Sequence, residues 1–355
     1  MALADYYRRG AVAAAQIIAG FDEDAFRRRL EPETIELAFG ADAKRAEGRH
    51  ALDMLVRLVA RLYPVVAVRS RAGADELAAE LVDLARTINP KIEISTAAGT
   101  RAIVVGEGAK PRAKTVIFTG SAGPDALVAT TSARPVGRSS NPFGPGAAAS
   151  FAAANVFRAI FLPAGERLLD DDLVFSTVDL EPHATSGATL GRVRVPGDSV
   201  LVGLGAIGNA IVWALSRADA DGSLYLVDHQ RVELSNLQRY VLAARGDENA
   251  AKSELAEAAF TGSLSAIGRM QDWASFVDER GHRWQHVLVA LDSARDRRAV
   301  AASLPQHVIN AWTQPGDLGI SSHDFLGGAC LACLYLPDGR TPNQDEVVAK
   351  GARGS

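Results

Sequence analysis

The feature that most restricts how this chain can fold is a set of three glycines, Gly203, Gly205 and Gly208, in the spacing GxGxxG. A short apolar run at residues 200–202 precedes them and is bounded by turn-forming residues, which predicts a buried strand. A second apolar run follows at residues 224–227. Between them, apolar residues recur at helical spacing, at Ala210, Ile211, Ala214 and Leu215. The order strand, glycine turn, helix, strand predicts a unit of a parallel α/β sheet.

An acidic residue, Asp228, ends the second predicted strand about 20 residues beyond the last glycine. Glycines let the backbone turn tightly and approach a phosphate, and the following helix N-terminus offers free N–H groups and a partial positive charge. An acid at this place can accept hydrogen bonds from ribose hydroxyls. The unit therefore predicts a nucleotide site, and such a turn in this context is typical of dinucleotide-dependent dehydrogenases.

The residues beyond Asp228 change this interpretation. Residues 232–239 read VELSNLQR, Lys252 follows, and residues 286–292 read HVLVALD, an apolar run that ends in Asp292 before SARDRR. The chain thus contains, in order, a glycine-rich turn, an acid, an N-x-x-R element, a lysine, and an aspartate followed by arginine. In this combination it resembles the ThiF/MoeB/ubiquitin-activating superfamily of ATP-dependent adenylating enzymes, in a bacterial two-half form.

The resemblance implies an activity. In the superfamily, the carboxylate at the C-terminus of a ubiquitin-like protein or peptide attacks the α-phosphorus of ATP, giving an acyl-adenylate and pyrophosphate. A carboxylate is already ionised at neutral pH, so this step needs no general base. It needs positioning and neutralisation of charge on the triphosphate. The expected cofactors are ATP and Mg²⁺, and a conjugating partner and a homodimer are compatible with the family.

The same resemblance implies a role for each matching residue. The glycines would hold the α-phosphate region, and Asp228 would bind the ribose. Asn236 and Arg239 would contact phosphates, with Gln238 nearby. Lys252 would bridge phosphates as a point charge, and Asp292 would hold Mg²⁺ through its carboxylate. The candidates are Arg239, Lys252 and Asp292 for catalysis, and Gly203, Gly205, Gly208, Asp228, Asn236 and Gln238 for nucleotide binding.

Each role has an ordinary alternative. Asp228 could bind an NAD ribose, Arg239 and Lys252 could be surface charges, and Asp292 could cap the next helix. The arginine clusters at residues 27–29 and 295–298 are expected to be solvated helix faces. The histidines expected to be structural are His282, His286, His307 and His323.

Bulk properties exclude several classes of protein. The 355 residues are enough for one or two domains, and the net charge of −4 gives no global basic field for nucleic acid. No apolar run is long enough to span a membrane, and the N-terminus lacks a convincing signal peptide. The prediction is a cytoplasmic protein that binds neither nucleic acid nor membrane.

The first half reads as a second α/β unit. Residues 1–62 are predicted to be helical, and residues 65–68, 91–95, 102–105, 115–118 and 126–129 are predicted strands around a helix at 75–87. Gly106 and Gly108 are expected to form a turn, and residues 141–161 a small-residue packing helix. The predicted fold is α/β, a Rossmann-like adenylating domain preceded by a degenerate domain of similar type.

The predicted domains are residues 1–170 for the inactive adenylation-like domain, 171–197 for a connector with one strand at 173–178, and 198–355 for the ATP-binding domain. In the second half, a helix is expected at 247–262, capped by Asp247, then a strand at 286–291, a helix at 293–304 and a strand at 307–311. The second half has no counterpart of the 141–161 helix, so its C-terminal part is expected to be incomplete.

The two cysteines, Cys330 and Cys333, resemble half of the family's structural zinc site. Zinc in such sites takes four ligands, so no zinc is predicted, and a buried, inert pair is favoured. Neither cysteine is expected to carry a thioester. Two alternative functions remain open, an NAD-binding oxidoreductase and a nucleotide-binding scaffold without turnover.

Overall fold

The structure, a computed structural model, describes residues 20–71, 73–162, 169–185, 191–314 and 317–335, with isolated positions before residue 20. Each half of the chain builds one β-sheet. The first half contains α1 (Glu23–Leu30), β1 (Thr34–Phe39), α2 (Ala46–Leu62), β2 (Val65–Ser70), α3 (Asp75–Ile88), β3 (Glu93–Ile94), β4 (Arg101–Val105), β5 (Thr115–Ala122), β6 (Asp125–Ala129), α4 (Phe143–Phe161) and β7 (Leu173–Ser176). The helix predicted near residues 2–18 lies largely outside the described residues.

The second half is built in the same manner. It contains β8 (Val193–Val202), α5 (Ala206–Arg217), β9 (Ala220–Val227), α6 (Lys252–Ala258), β10 (Leu264–Arg269), α7 (Trp273–Arg280), β11 (His286–Val289), α8 (Ala294–Ala302), β12 (His307–Gln314) and β13 (Asp317–Asp324). Its strand order is β10-β9-β8-β11-β12-β13, and only the β12–β13 pairing is antiparallel.

The two sheets share one topology. The first has the order β3-β2-β1-β4-β5-β6-β7, with parallel pairing up to β5 and antiparallel pairing beyond it. In each sheet the third, second, first, fourth, fifth and sixth strands follow one another, and the sixth is antiparallel. The strand order therefore reverses between β1 and β4 and between β8 and β11, where doubly wound sheets bind ligands. The predicted fold class is confirmed.

The halves pack against each other through α2 and α4 on one side and α5 on the other. Trp213 of α5 is only 2% exposed and shares an apolar cluster with residues of α2 and α4. Its Nε1 donates to Asp53 Oδ2 at 2.6 Å, and its ring lies so close to Gly146 that a Cβ there would approach it to 2.7 Å. The packing helix predicted at residues 141–161 is present as α4, and its buried face belongs to this cluster.

Replacing Trp213 with alanine should lower the free energy of unfolding by about 3–5 kcal/mol, because a large buried aromatic side chain leaves a cavity. The loss also removes the indole donor of Asp53, which remains paired with Arg57 at 2.9 Å and Arg217 at 3.1 Å. Urea unfolding of the full chain measures the change. Trp312→Ala, on the partly exposed β12, is the control. Equal losses in both variants would contradict a special role for Trp213 between the halves.

The prediction that residues 1–62 are helical is wrong for residues 34–39. Residues 34–39 form the central strand β1, with five of its six residues buried. Parallel central strands are covered on both faces, so they lack the alternating pattern that marks a half-exposed strand. The acidic Glu36 also interrupts the apolar run, although it is fully buried and paired with Arg69 at 3.2 Å.

The predicted connector also needs correction. Its strand is present as β7, but β7 pairs antiparallel with β6 and so belongs to the first sheet. The strand before the glycine turn begins at Val193, because the β8–β9 pairing continues across an irregularity between Val195 and Ser199. Pro196 lies within that irregularity. Because proline interrupts the strand pattern, the first part of β8 was not predicted.

The helix predicted at residues 247–262 is shorter than expected. It starts at Lys252, and Asp247 instead accepts the Ala244 N–H at 2.7 Å at the start of a 3₁₀ turn. Strands β10 and β13 and helix α7 were not predicted. Within the described ranges, the structure contains no helix that is long and apolar enough to cross a membrane.

Candidate functional site

The glycine turn lies at the carboxyl end of β8, where the strand order reverses. Gly203 has a φ of +90°, and a Cβ at this position would lie 2.7 Å from the Ala290 carbonyl oxygen. A Cβ on Gly208 would collide with the carbonyl of Gly203. Gly205 begins α5 without a side-chain cap. The first N–H groups of this helix are therefore left for a ligand, as at an anion-binding helix N-terminus.

Asp228 lies beside this turn. One carboxylate oxygen accepts the Leu204 N–H at 2.8 Å, and the other accepts the Gln230 N–H at 2.8 Å. A carboxylate oxygen can accept more than one hydrogen bond, so Asp228 keeps acceptor capacity while its position is fixed. This placement is compatible with ribose binding, which stays a prediction.

Asn209 is a site residue that the sequence analysis missed. It is buried in α5, and its Nδ2 donates to the carbonyls of Leu204 at 2.8 Å and Gly205 at 3.1 Å. Its Oδ1 accepts the N–H of Leu242 at 3.2 Å. The side chain therefore joins the glycine turn to the segment that carries Arg239. The signal that could have identified Asn209 was its polar side chain in the first turn of a helix that is otherwise apolar on its buried face.

Lys252 is a buried cation. It is 5% exposed, and its Nζ donates to Gln230 Oε1 at 2.6 Å and lies 5.1 Å from the centre of the Tyr240 ring. Among the described residues, no carboxylate lies within 4 Å of it. A buried ammonium without an acid is costly. The interpretation of Lys252 as a surface charge is therefore wrong.

Arg239 approaches the same aromatic ring. Its guanidinium lies 5.3 Å from the centre of the Tyr240 ring, and its Nη1 donates to the Ser235 carbonyl at 3.2 Å. No acid within the described ranges forms an ion pair with it. Two cations thus gather around Tyr240, whose hydroxyl is the nearest atom to a Cβ built on Gly205, at 3.8 Å. An electropositive patch therefore borders the glycine turn.

Asn236 and Gln238 lie on the same segment. Asn236 is buried, and its Oδ1 accepts the Glu233 N–H at 3.0 Å, which closes a 3₁₀ turn over residues Leu234–Asn236. Gln238 is half-buried between Leu237 and Arg239. Asn236 thus shapes the turn that presents Arg239, and its predicted phosphate contact remains a prediction.

Asp292 follows β11, next to the strand that carries the glycine turn. The helix α8 that follows is capped by Ser293, whose Oγ accepts the Asp296 N–H at 3.1 Å. The alternative in which Asp292 caps this helix is therefore wrong. Asp292 is exposed, and no hydrogen bond involves its carboxylate in the described part of the chain. The carboxylate can therefore accept a metal ion.

Arg297 fixes the loop that carries Asp292. Its guanidinium donates to the carbonyls of Leu291 and Ala311, the latter at 3.0 Å, and to Oδ1 of Asn310. Burial lowers the pKa of Arg297. The expected solvated face at residues 295–298 is therefore wrong for this member. Arg297 is one helical turn before Val300, which is buried on the same face of α8. This spacing was the signal in the sequence that Arg297 could be buried.

In the first sheet, the place that corresponds to the glycine turn is filled by a side chain of the protein, Asp42. Asp42, just after β1, accepts the N–H groups of Glu107 at 2.8 Å and Gly108 at 3.3 Å. Gly106, with a φ of +82°, has no room for a Cβ beside this carboxylate. The predicted turn at Gly106 and Gly108 is present, and its N–H groups bind the protein's own anion.

The first half also holds the segment that carries Arg239. Arg61 of α2 is 4% exposed and donates to the carbonyls of Leu237 at 2.7 Å, Val241 at 3.1 Å and Ala243 at 2.6 Å. Arg57 donates to the Val241 carbonyl at 2.8 Å. Because these carbonyls flank Arg239 and Tyr240, the first half positions a part of the candidate site.

Arg61→Met should loosen this segment, since hydrogen bonds to a charged donor contribute about 1.5–3 kcal/mol each. We expect faster amide hydrogen exchange at residues 237–243 and weaker nucleotide binding. Arg49→Met, on the exposed side of α2, is the control. Unchanged exchange at 237–243 in Arg61→Met would contradict the role of Arg61.

The cysteine pair differs from the prediction. Cys330 and Cys333 are both exposed, with their sulfurs 3.7 Å apart, so the expected burial is wrong. Hydrogen bonding from Cys333 lowers the pKa of the Cys330 thiol. His323 contacts Ala329 and Ser321 rather than either sulfur. The described residues contain no group of three or more His, Cys, Asp or Glu side chains that could hold a metal ion.

The family follows from comparison with known proteins. The model described as the ThiF family matches residues 194–347, and the model described as prokaryotic E2 family C matches residues 38–162. The chain is 41% identical to the Sinorhizobium fredii protein described as "Uncharacterized protein y4jF", over 99% of this chain and 69% of that protein. The chain belongs to the ThiF family, within the superfamily of adenylating enzymes that its motifs resemble.

Two solved structures are similar to part of the chain. E. coli MccB with MccA-N7isoASN aligns with a TM-score of 0.34 and 16% identity, over 46% of this chain and 49% of MccB. PaaA aligns with a TM-score of 0.29 and 20% identity, over 36% of this chain and 40% of PaaA. The aligned part thus spans about half of MccB or less.

The region matched by the prokaryotic E2 model, residues 38–162, contains no cysteine, so it offers no thiol for a thioester.

Proposed function

We propose that this chain uses ATP and Mg²⁺ to adenylate the C-terminal carboxylate of a ubiquitin-like protein or peptide, with release of pyrophosphate. The main support is the pair of cations around Tyr240, Arg239 and Lys252, which lie beside the glycine turn and have no acidic partner among the described residues. A triphosphate supplies the negative charge that this pair lacks. NAD, whose ribose would engage Asp228, carries only a diphosphate, so it would supply less negative charge to this pair and would give Asp292 no metal ion to hold.

The residues present fit a nucleotide and a metal ion. The glycine turn leaves space next to a helix N-terminus, where a phosphate can approach N–H groups. Asp292 offers an exposed carboxylate, the hard oxygen ligand that Mg²⁺ prefers alongside the phosphates of its substrate. Bound Mg²⁺ would supply neutralisation of charge on the triphosphate. Asp228 would orient the ribose, and Arg297 would keep the loop of Asp292 in place.

The chemistry requires few groups from the protein. The attacking carboxylate is ionised at neutral pH, so the step needs no histidine or other general base. The increase in negative charge around the α-phosphorus is met by Arg239, Lys252 and the N–H groups that begin α5. Electrostatic stabilisation of this kind is usually the largest part of catalysis.

The first half would act as a scaffold in this proposal. Its sheet repeats the topology of the second, but Asp42 binds the N–H groups of the Glu107–Gly108 turn. We extend the inactive adenylation-like domain, predicted at residues 1–170, to the end of β7, because β7 completes its sheet. The active domain then starts at β8, and a cytoplasmic location suits its need for ATP.

Exchange of labelled pyrophosphate into ATP tests the proposal. We expect exchange in the presence of a suitable C-terminal carboxylate, and tighter binding of Mg-ATP than of NAD by calorimetry. Arg239→Ala should reduce exchange by roughly 10²–10³-fold. Arg231→Ala is the matched control, since Arg231 is an exposed arginine on the same crossover segment.

Two results would favour other functions. Tighter binding of NAD than of Mg-ATP would favour an oxidoreductase. Binding of Mg-ATP without exchange for every acceptor tested would favour a nucleotide-binding scaffold. Near-normal exchange in Arg239→Ala would exclude the role proposed for that residue.

A further inference from the structure

A second cluster of cations lies in the first half, around a cavity of about 280 Å³. Three segments enclose the cavity: the end of β1 at Phe39, the end of β2 and the residues after it, and the loop between β4 and β5. The polar side chains that line it are Arg69, Ser70, Arg71, Lys110 and Arg112. The cavity therefore lies at the carboxyl ends of parallel strands, where α/β sheets bind ligands.

Only one of these four cations is neutralised. Arg69 pairs with the buried Glu36 at 3.2 Å, and its guanidinium also donates to the carbonyls of Thr96 and Ala97. Among the described residues, no carboxylate lies within 4 Å of the side-chain nitrogens of the other three, Arg71, Lys110 and Arg112. Like charges gathered in one concavity repel each other unless an anion binds between them.

The acids that surround the cavity are already engaged. Glu36 accepts the backbone N–H groups of Gly99 at 3.1 Å and Arg112 at 2.8 Å in addition to its pairing with Arg69. Asp75 accepts the Ser70 hydroxyl at 2.6 Å. Asp42 is held by the Glu107–Gly108 turn. Among the described residues, none of these three carboxylates forms an ion pair with Arg71, Lys110 or Arg112.

We propose that this cavity binds a diphosphate group. Arginine binds phosphate oxygens through two parallel hydrogen bonds, and lysine binds them as a point charge. The volume of about 280 Å³ lies just below the range of roughly 300–1,000 Å³ for small-molecule sites, so it suits a compact anion with several charges. The group can come from free pyrophosphate or from the diphosphate end of a nucleotide. The cavity would bind it whether or not the second half adenylates a substrate.

Calorimetry of the full chain with inorganic pyrophosphate tests this site. The parent protein for the comparison is Lys252→Met, in which the cation patch of the second half is weakened. Adding Arg71→Ala and Lys110→Ala to this parent should raise the Kd at least tenfold. Both side chains are exposed, so the substitutions should not affect folding. Adding Lys114→Ala, an exposed lysine that does not line the cavity, is the matched control.

The outcomes separate cleanly. Weaker binding in the double substitution, with unchanged binding in the Lys114→Ala control and a decline with added salt, supports the site. Absence of pyrophosphate binding in the parent, equal affinity in the double substitution, or an equal loss in the control would overturn it. Titration with ADP identifies the source. Affinity equal to that for pyrophosphate points to a nucleotide, and weaker binding points to the free anion.

Discussion

Lys252→Met should reduce adenylation, measured as pyrophosphate exchange, by roughly 10²–10³-fold, the loss expected when one preorganised charge is removed from such a site. The same variant should unfold at an equal or higher urea concentration than the wild type. Lys252 is buried without an acidic partner among the described residues, and replacing a buried, uncompensated charge by an apolar side chain of similar length relieves a desolvation cost.

Reduced exchange together with unchanged or increased stability in Lys252→Met distinguishes a binding role of Lys252 from a structural role. A lysine needed only for folding would lose stability and activity together. Lys114→Met is the control for lysine removal at an exposed position in the first half. If Lys252→Met retained normal exchange, or lost stability in proportion to its activity, the phosphate role of Lys252 would be refuted.

Asp292→Asn should lower exchange by a similar factor and raise the Mg²⁺ concentration needed for half-maximal rate. Asparagine has nearly the same shape as aspartate but carries no charge, so it binds Mg²⁺ more weakly. Folding should be unaffected, since Ser293 rather than Asp292 caps α8 and Asp292 is exposed. Measuring exchange against Mg²⁺ concentration separates a metal ligand from a residue that acts only on the rate.

Asp296→Asn provides the matched control close to Asp292, because Asp296 is also exposed and lies in the first turn of α8. An unchanged Mg²⁺ dependence in Asp292→Asn would show that the carboxylate does not hold the metal. The same shift in both variants would point instead to a general loss of negative charge around the loop.

Much of the second half was predictable because its residues act locally. The glycine turn and α5 depend on near neighbours in the sequence, and Gly203 and Gly208 are required by contacts within or beside the turn. Asp228 could be placed because an acid at the end of a strand lies beside the turn of the adjacent strand. The strands of the first half after residue 65 were recognisable for the same reason, since their apolar runs are bounded by turn-formers.

Other elements depended on distant contacts and were missed. The strand β1 is buried on both faces, so its sequence carries no alternation. Glu36 within it is compatible with burial because it pairs with Arg69 and accepts the backbone N–H groups of Gly99 and Arg112. The cap predicted from Asp247 failed for a local reason instead, since that carboxylate accepts the Ala244 N–H within its own turn. The burial of Arg297 depends on Asn310 and Ala311, which the fold brings next to α8.

The sequence by itself identified the family and the α/β class, and it predicted the set of residues from Gly203 to Asp292 for nucleotide binding. These follow from residue type and spacing, which encode local backbone geometry and chemistry. Only the tertiary structure decided that Lys252 is buried, that Arg61 of the first half holds the segment of Arg239, and that Asp42 fills the turn of the first sheet. Those properties depend on contacts between residues that the fold brings together, such as Arg61 with Leu237 and Asp42 with Glu107, and spacing along the sequence does not encode such contacts.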